Sequence, residues 1–151
     1  MSHPESDRLL LVEKVLILKS LSIFKDTPEH ILADLAPLME EEEYESDSII
    51  FKEGEVGDCM YIIQQGEVKI HKNNIVLAVL KEKEVFGELA LLDPEVRSAT
   101  ATADSDCYLF RIHQEPFYEL LENRPEIAKG FIQILCRRLR AQNERSVRTA
   151  E

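Results

Sequence analysis

Short apolar segments separated by turn residues fill the middle of the chain, from Tyr44 to about Ile112. Glycine and asparagine stand between these segments, and both residue types favour tight turns. Each segment is about four to eight residues long, which is typical of strands and short for a helix. Several strands at this spacing predict an antiparallel barrel or jelly roll.

The same segments suggest particular pairings. CMYIIQQG and EVKIHK meet at Gly66, so we expect them to form a hairpin. A turn at Asn73–Asn74 is expected to lead into a further strand, IVLAVL. The segment CYLFRI, which starts at Cys107, alternates in polarity like a half-buried strand.

Helical patterns flank the predicted barrel. Dense apolar residues without glycine or proline predict a helix around Leu9–Leu18, and DTPEHILADLAPLMEE predicts a second one. The acidic run Glu40–Glu43 is expected to be a solvated helix end and linker. After the barrel, HQEPFYELLEN predicts a short helix, and Pro125 opens a longer one. An apolar stripe runs along that last helix: Ile127, Phe131, Ile134, Leu135 and Leu139.

The predicted fold is therefore mainly β with flanking helices, an antiparallel β jelly-roll barrel in a single domain, 1–151. Its parts are N-terminal helices (1–43), the barrel (44–113) and C-terminal helices (114–151). A chain of 151 residues with 44% apolar content is long enough to bury one core.

Composition excludes several classes of function. The net charge of −11 argues against a nucleic-acid-binding surface. The apolar runs are too short to enter a bilayer, and no export signal opens the chain, so we expect a cytoplasmic protein. Cys59, Cys107 and Cys136 have no metal or disulfide spacing and are expected to be buried free thiols.

Charge is distributed unevenly. Residues 125–151 contain six basic and three acidic side chains, whereas the rest of the chain is strongly acidic. Either a basic helix rests beside an acidic body, or this segment docks on a partner.

The segment 86–100, FGELALLDPEVRSAT, carries the residues suited to an anionic ligand. Gly87 allows close approach to the backbone, and Glu88–Leu92 are suited to one helical turn with free N–H groups. The carboxylate of Glu88 can accept from sugar hydroxyls, and the fork of Arg97 matches two phosphate oxygens. Two small residues, Ser98 and Ala99, follow Arg97. The alternative is that Glu88 and Arg97 only pair with each other across a loop.

FGELALL followed by RSAT resembles the phosphate-binding cassette of the cyclic nucleotide-binding domain family, without insertion or deletion between Glu88 and Arg97. FKEGEVGDCMYIIQQGEVKI resembles the family's strands with glycine turns, and RPEIAKGFIQILCRRLR resembles its hinge and lid helix. The sequence departs at KEKEV, where the family has Gly-Asp, and at Val96, where the family often has proline.

The resemblance implies a role for each matching residue. Glu88 would bind the ribose 2′-hydroxyl and Arg97 the cyclic phosphate. The pocket would be lined by Gly87, Leu89, Ala90, Ser98 and Ala99. Gln142 and Asn143 fall where the family's lid helix reaches the purine, although a solvent-facing helix end explains them equally well.

The resulting expectation is a regulatory sensor without enzymatic activity, cofactor or metal, with cAMP as ligand and cGMP as the alternative. Binding would move the C-terminal helix and signal to a protein effector, a second copy or a domain outside this sequence. A homodimer through that helix is a further expectation. A degenerate module used only for protein–protein interaction is the competing hypothesis. A cupin-type enzyme would need clustered histidines, but the four histidines are scattered.

Overall fold

The computed structural model describes residues 4–150, with the side chains of 11–88, 90–94, 96–133, 135–137 and 139–144. Within these residues the helices are α1 (Pro4–Ser20), α2 (Glu29–Leu35), α3 (Glu88–Leu92), α4 (Gln114–Asn123) and α5 (Glu126–Ala150). A short 3₁₀ helix, Ala36–Leu38, follows α2. The strands are β1 (Glu40–Tyr44), β2 (Ile49–Phe51), β3 (Val56–Gly57), β4 (Cys59–Gln65), β5 (Val68–Lys72), β6 (Ile75–Leu80), β7 (Val85–Phe86), β8 (Glu95–Val96), β9 (Thr100–Ala103) and β10 (Cys107–His113).

The strands form two four-stranded antiparallel sheets and one short pair. One sheet has the order β1-β10-β4-β7, the other β2-β9-β5-β6, and β3 pairs with β8. The inward side chains of both sheets share one core, including Tyr61, Ile63, Leu109, Val68 and Ala101. This arrangement confirms the predicted jelly-roll barrel with flanking helices.

A second core joins the helices to the outer face of the first sheet. Met60 and Ile62 of β4 alternate with the inward residues of that strand and pack outward under the helices. Phe131 of α5 lies at the centre of this core, with ring centroids 5.6 Å from Phe24 and 5.2 Å from Phe117. The barrel and its helices are therefore one packed unit.

The acidic run at Glu40–Glu43 is a strand, so its prediction as a helix end and linker is wrong. β1 pairs antiparallel with β10, and Glu40 lies opposite Arg111. The Arg111 guanidinium contacts both Glu40 and Glu42, with N–O distances of 3.2 and 2.7 Å. These cross-strand ion pairs offset the repulsion within the run, so the barrel begins earlier than predicted.

The predicted hairpin around Gly66 is also wrong. β4 and β5 lie in different sheets, and Gly66, with φ of +98°, carries the chain from one sheet to the other. The turn at Asn73, with φ of +53°, does connect a paired hairpin, β5 with β6. Alternation of polarity marks a strand but does not identify its partner, which explains the error.

The C-terminal helices break at Arg124 and Pro125, as the sequence predicts. Ile127 and Phe131 are buried, but Leu139 is 60% exposed, so only the first part of the predicted apolar stripe is covered. The side chain of Ile134 lies outside the described residues. None of the helices in the described part of the chain is long and apolar enough to cross a membrane.

Candidate functional site

The segment 86–100 passes from β7 through a single helical turn into β8 and β9. Gly87 has φ of +76°, a conformation that side-chain-bearing residues rarely adopt, and α3 begins directly after it at Glu88. The predicted helical turn over Glu88–Leu92 is therefore present. The segment returns to the barrel at Thr100, so both its ends are fixed to strands.

A pocket of about 310 Å³ lies between this segment and the second sheet. The predicted residues that line it are Gly87, Glu88, Ala90, Arg97, Ser98 and Ala99. Its apolar wall is formed by Phe51, Ile70, Leu80, Val85, Phe86 and Val96. The side chain of Leu89 lies outside the described residues. A mostly apolar lining with a few polar groups at one end is typical of small-molecule sites.

Two charged side chains of opposite sign are buried at the polar end of this pocket. Glu88 is 3% exposed and Arg97 is 8% exposed. Charged side chains are almost never buried to this extent unless they are paired. Their burial concentrates hydrogen-bonding capacity where water is scarce and electrostatic interactions are strong.

The Arg97 guanidinium is held by the backbone of β4. Its Nη2 donates to the carbonyl oxygen of Cys59 at 2.9 Å and lies 3.7 Å from the Cys59 sulfur. The backbone of Arg97 is fixed to the β2–β3 turn by two hydrogen bonds. Its N–H donates to the backbone carbonyl oxygen of Glu55 at 2.7 Å, and its carbonyl oxygen accepts from the N–H of Gly54 at 2.9 Å. The side chain and its backbone are thus both anchored by contacts within the barrel.

An aromatic cluster packs against one face of the guanidinium through Phe51. The Phe51 ring centroid is 4.2 Å from Arg97 Cζ, and the ring centroids of Phe86 and Phe51 are 6.0 Å apart. Tyr61 stacks on Phe86 at 5.0 Å. Burial raises the pKa of Tyr61, and its hydrogen bond with Cys59 raises that pKa further, so the phenol stays neutral. The cluster adds no competing negative charge beside Arg97.

Sequence reasoning missed three residues that contact Arg97: Phe51, Gly57 and Cys59. The stretch FKEGEVGDCMYIIQQGEVKI, which contains all three residues, was assigned only to strands and their glycine turns. Their contacts are made across the barrel, between β2, β3, β4 and the loop after β8. A local pattern contains no signal for such a meeting.

Gln142 and Asn143 are exposed near the end of α5. Neither is among the residues that line the pocket, so the structure does not bring the two predicted purine contacts to the other site residues. Their role therefore stays a prediction that requires α5 to move.

The cysteines agree with the prediction in part. Cys59 and Cys107 are buried free thiols, but Cys136 on α5 is exposed, because the helix turns that residue away from the core. Among the residues whose side chains are described, no group of three histidine, cysteine or acidic side chains is placed to hold a metal ion.

Known proteins of related sequence share this site-bearing region. The family model for the cyclic nucleotide-binding domain matches residues 41–124. A CRP-like cAMP-activated global transcriptional regulator of Mycobacterium tuberculosis is 30% identical over 84% of this chain and 59% of its own length. The cGMP-dependent protein kinase 2 of Mus musculus is 32% identical over 80% of this chain and 17% of its own length. The chain thus spans less than two thirds of these curated relatives.

Solved structures agree with the sequence matches. The N-terminal domain of a transcriptional regulator from Streptomyces coelicolor A3(2) superimposes with a TM-score of 0.77 and 31% identity, covering 86% of this chain and 94% of that one. The family match covers the barrel and the cassette, and the fold agrees with it. The chain therefore belongs to the cyclic nucleotide-binding domain family.

Proposed function

We propose that this protein is a non-enzymatic sensor that binds cAMP in the pocket beside α3 and transmits binding through α5. The observation that carries the proposal is the burial of Arg97 and Glu88 in one pocket whose other wall is apolar. A buried guanidinium suits the cyclic phosphate, since a planar fork of donors can bind two of its oxygens. The Glu88 carboxylate suits the ribose 2′-hydroxyl, and the apolar wall suits the base.

The preference for cAMP over cGMP rests on the residue after Arg97. Ser98 is exposed and lines the pocket. Among the cyclic nucleotide-dependent kinases of the family, sites for cAMP tend to have alanine at this position and sites for cGMP threonine. The bacterial catabolite activator protein, a family member that binds cAMP, has serine there. The hydroxyl of Ser98 is therefore compatible with both ligands and favours cAMP through that last resemblance.

The competing function is a module that keeps the fold for protein–protein interaction alone. The KEKEV segment, which replaces the family's Gly-Asp, would favour this interaction module if the turn before the cassette had lost its conformation. Instead, Lys83 adopts φ of +71°, and its N–H donates to Ile63 at 2.9 Å. The turn keeps a left-handed residue without glycine, so the departure leaves the cassette in place.

Calorimetric titration with cAMP, cGMP and 5′-AMP tests the proposal. We expect saturable binding of cAMP, weaker binding of cGMP, and much weaker binding of 5′-AMP, whose phosphate carries more charge and lacks the ring closure. Preference for cGMP would overturn the choice of ligand. A protein that melts cooperatively but binds none of the three nucleotides would be an interaction module, and the sensor proposal would fail.

A further inference from the structure

Gly57 lies at the end of β3, and its backbone does not require glycine. Gly54, Gly66 and Gly87 all have positive φ, between +76° and +98°, whereas Gly57 does not adopt that conformation. It is buried, it pairs with Glu95 across the short sheet, and an L-residue can adopt its backbone angles. The reason for glycine at this position must therefore lie in its surroundings.

Those surroundings are the side chain of Arg97. A Cβ atom at Gly57 would lie 2.2 Å from Nε, 2.4 Å from Cζ and 2.9 Å from Cδ of Arg97. A Cβ atom at Gly87 would lie 2.7 Å from Nη1 of the same guanidinium. Two glycines from separate parts of the chain thus leave room for one side chain. The Phe51 ring and the Cys59 carbonyl oxygen fix its remaining directions.

We propose that Gly57 is a positioning residue for the anion-binding arginine: its missing side chain lets the Arg97 guanidinium lie flat against β3, aimed into the pocket. This inference rests on the proposed function, in which Arg97 binds the cyclic phosphate. Gly57 acts through Arg97 and does not itself contact the ligand. With Gly57, the proposed site includes β3, which lies outside the segment 86–100.

The physical consequence is a separation of affinity from stability. The atoms that a methyl group at position 57 would meet belong to the Arg97 side chain and not to the backbone, so we expect the guanidinium to move while the barrel stays folded. A bidentate contact depends on position within about half an ångström. Displacement that breaks one charge-assisted hydrogen bond, worth about 1.5–3 kcal/mol, reduces affinity about tenfold to a hundredfold.

Four proteins form the test: the parent, Gly57→Ala, Arg97→Ala and the double variant. We expect Gly57→Ala to bind cAMP at least tenfold more weakly than the parent, with a melting temperature within a few degrees. In the Arg97→Ala background, Gly57→Ala should have little further effect on affinity, because the guanidinium that the methyl group would displace is absent. Val56→Ile, which adds one carbon at an exposed position of the same strand, is the control and should bind like the parent.

A crystal structure of Gly57→Ala separates this inference from the proposed function. In this variant we expect the Arg97 guanidinium to have lost its hydrogen bond to the Cys59 carbonyl oxygen. If the parent binds no cyclic nucleotide, the proposed function fails, but the displaced guanidinium would still support the role of Gly57. An unmoved guanidinium, affinity equal to the parent's, or equal losses in both backgrounds would overturn the inference.

Discussion

The guanidinium carbon of Arg97 lies 4.2 Å from the centre of the Phe51 ring, inside cation–π distance. Phe51 belongs to β2 of the second sheet, whereas Arg97 follows β8. The ring supports the face of the guanidinium and leaves its edge, which carries the N–H donors, available to the Cys59 carbonyl and the pocket. The barrel therefore fixes both the face and one edge of the guanidinium beside the pocket.

Replacing Phe51 by leucine should weaken cAMP binding without unfolding the barrel. A desolvated cation–π contact contributes about 0.5–2 kcal/mol, so we expect an affinity loss of about twofold to thirtyfold. Phe51→Tyr keeps the ring and is the matched control. Titration and thermal melts of both variants check the effect. Equal losses for leucine and tyrosine would show that the ring's electrostatics play no part.

Replacing Lys83 by glycine should stabilise the protein. Lys83 has φ of +71°, and a left-handed residue with a side chain costs roughly 1–2 kcal/mol, offset in part by the greater unfolded-state entropy of glycine. We expect a net gain of up to about 1 kcal/mol, or roughly 2–4 °C in melting temperature for a chain of this size. Lys81→Gly, which lacks positive φ, should be destabilising. A lower melting temperature for Lys83→Gly would contradict the turn geometry.

The fold could be predicted from the sequence where local chemistry decides it. Glycine before Glu88, a short apolar run and small residues after Arg97 were enough to predict a helical turn suited to an anion, and the resemblance to the family identified it as the cassette. The pairing of β4 and the strand β1 were missed because they depend on residues distant in sequence, such as Arg111 opposite Glu40. The support of Arg97 by Phe51 and Gly57 could not be predicted for the same reason, since barrel closure brings them together.

Glu88→Gln should reduce cAMP affinity through the ribose. Hydrogen bonds to a charged group contribute roughly 1.5–3 kcal/mol, so losing the charge should cost about tenfold or more. The ratio of affinities for cAMP and 2′-deoxy-cAMP should fall towards one. Glu84→Gln, at an exposed position just before β7, is the control. A preserved preference for the 2′-hydroxyl in Glu88→Gln would remove this role from Glu88.

Hydrogen exchange in α5 should slow when cAMP binds. The helix begins after the break at Arg124, whose Nε lies 2.8 Å from Asp34 on α2, and Ile132 and Leu139 remain exposed beyond the buried first turns. Movement of α5 onto the pocket would cover such residues and bring Gln142 and Asn143 closer to the ligand. Exchange over 126–144 should stay unchanged in Arg97→Ala at the same cAMP concentration. Identical exchange in the free and saturated parent would rule out this movement.

The cAMP affinity of Arg97→Lys, compared with those of the parent and Arg97→Ala, decides whether Arg97 binds the phosphate, and thermal melts of all three report whether each is folded. Lysine keeps the charge but loses the planar fork, so it should restore little of the binding that alanine removes. We expect a loss of about a hundredfold or more in both variants, since two charge-assisted hydrogen bonds are affected, with the barrel still folded. Equal affinities across the three proteins would contradict the assignment of Arg97 as the phosphate ligand. So would a parent protein that binds no cyclic nucleotide.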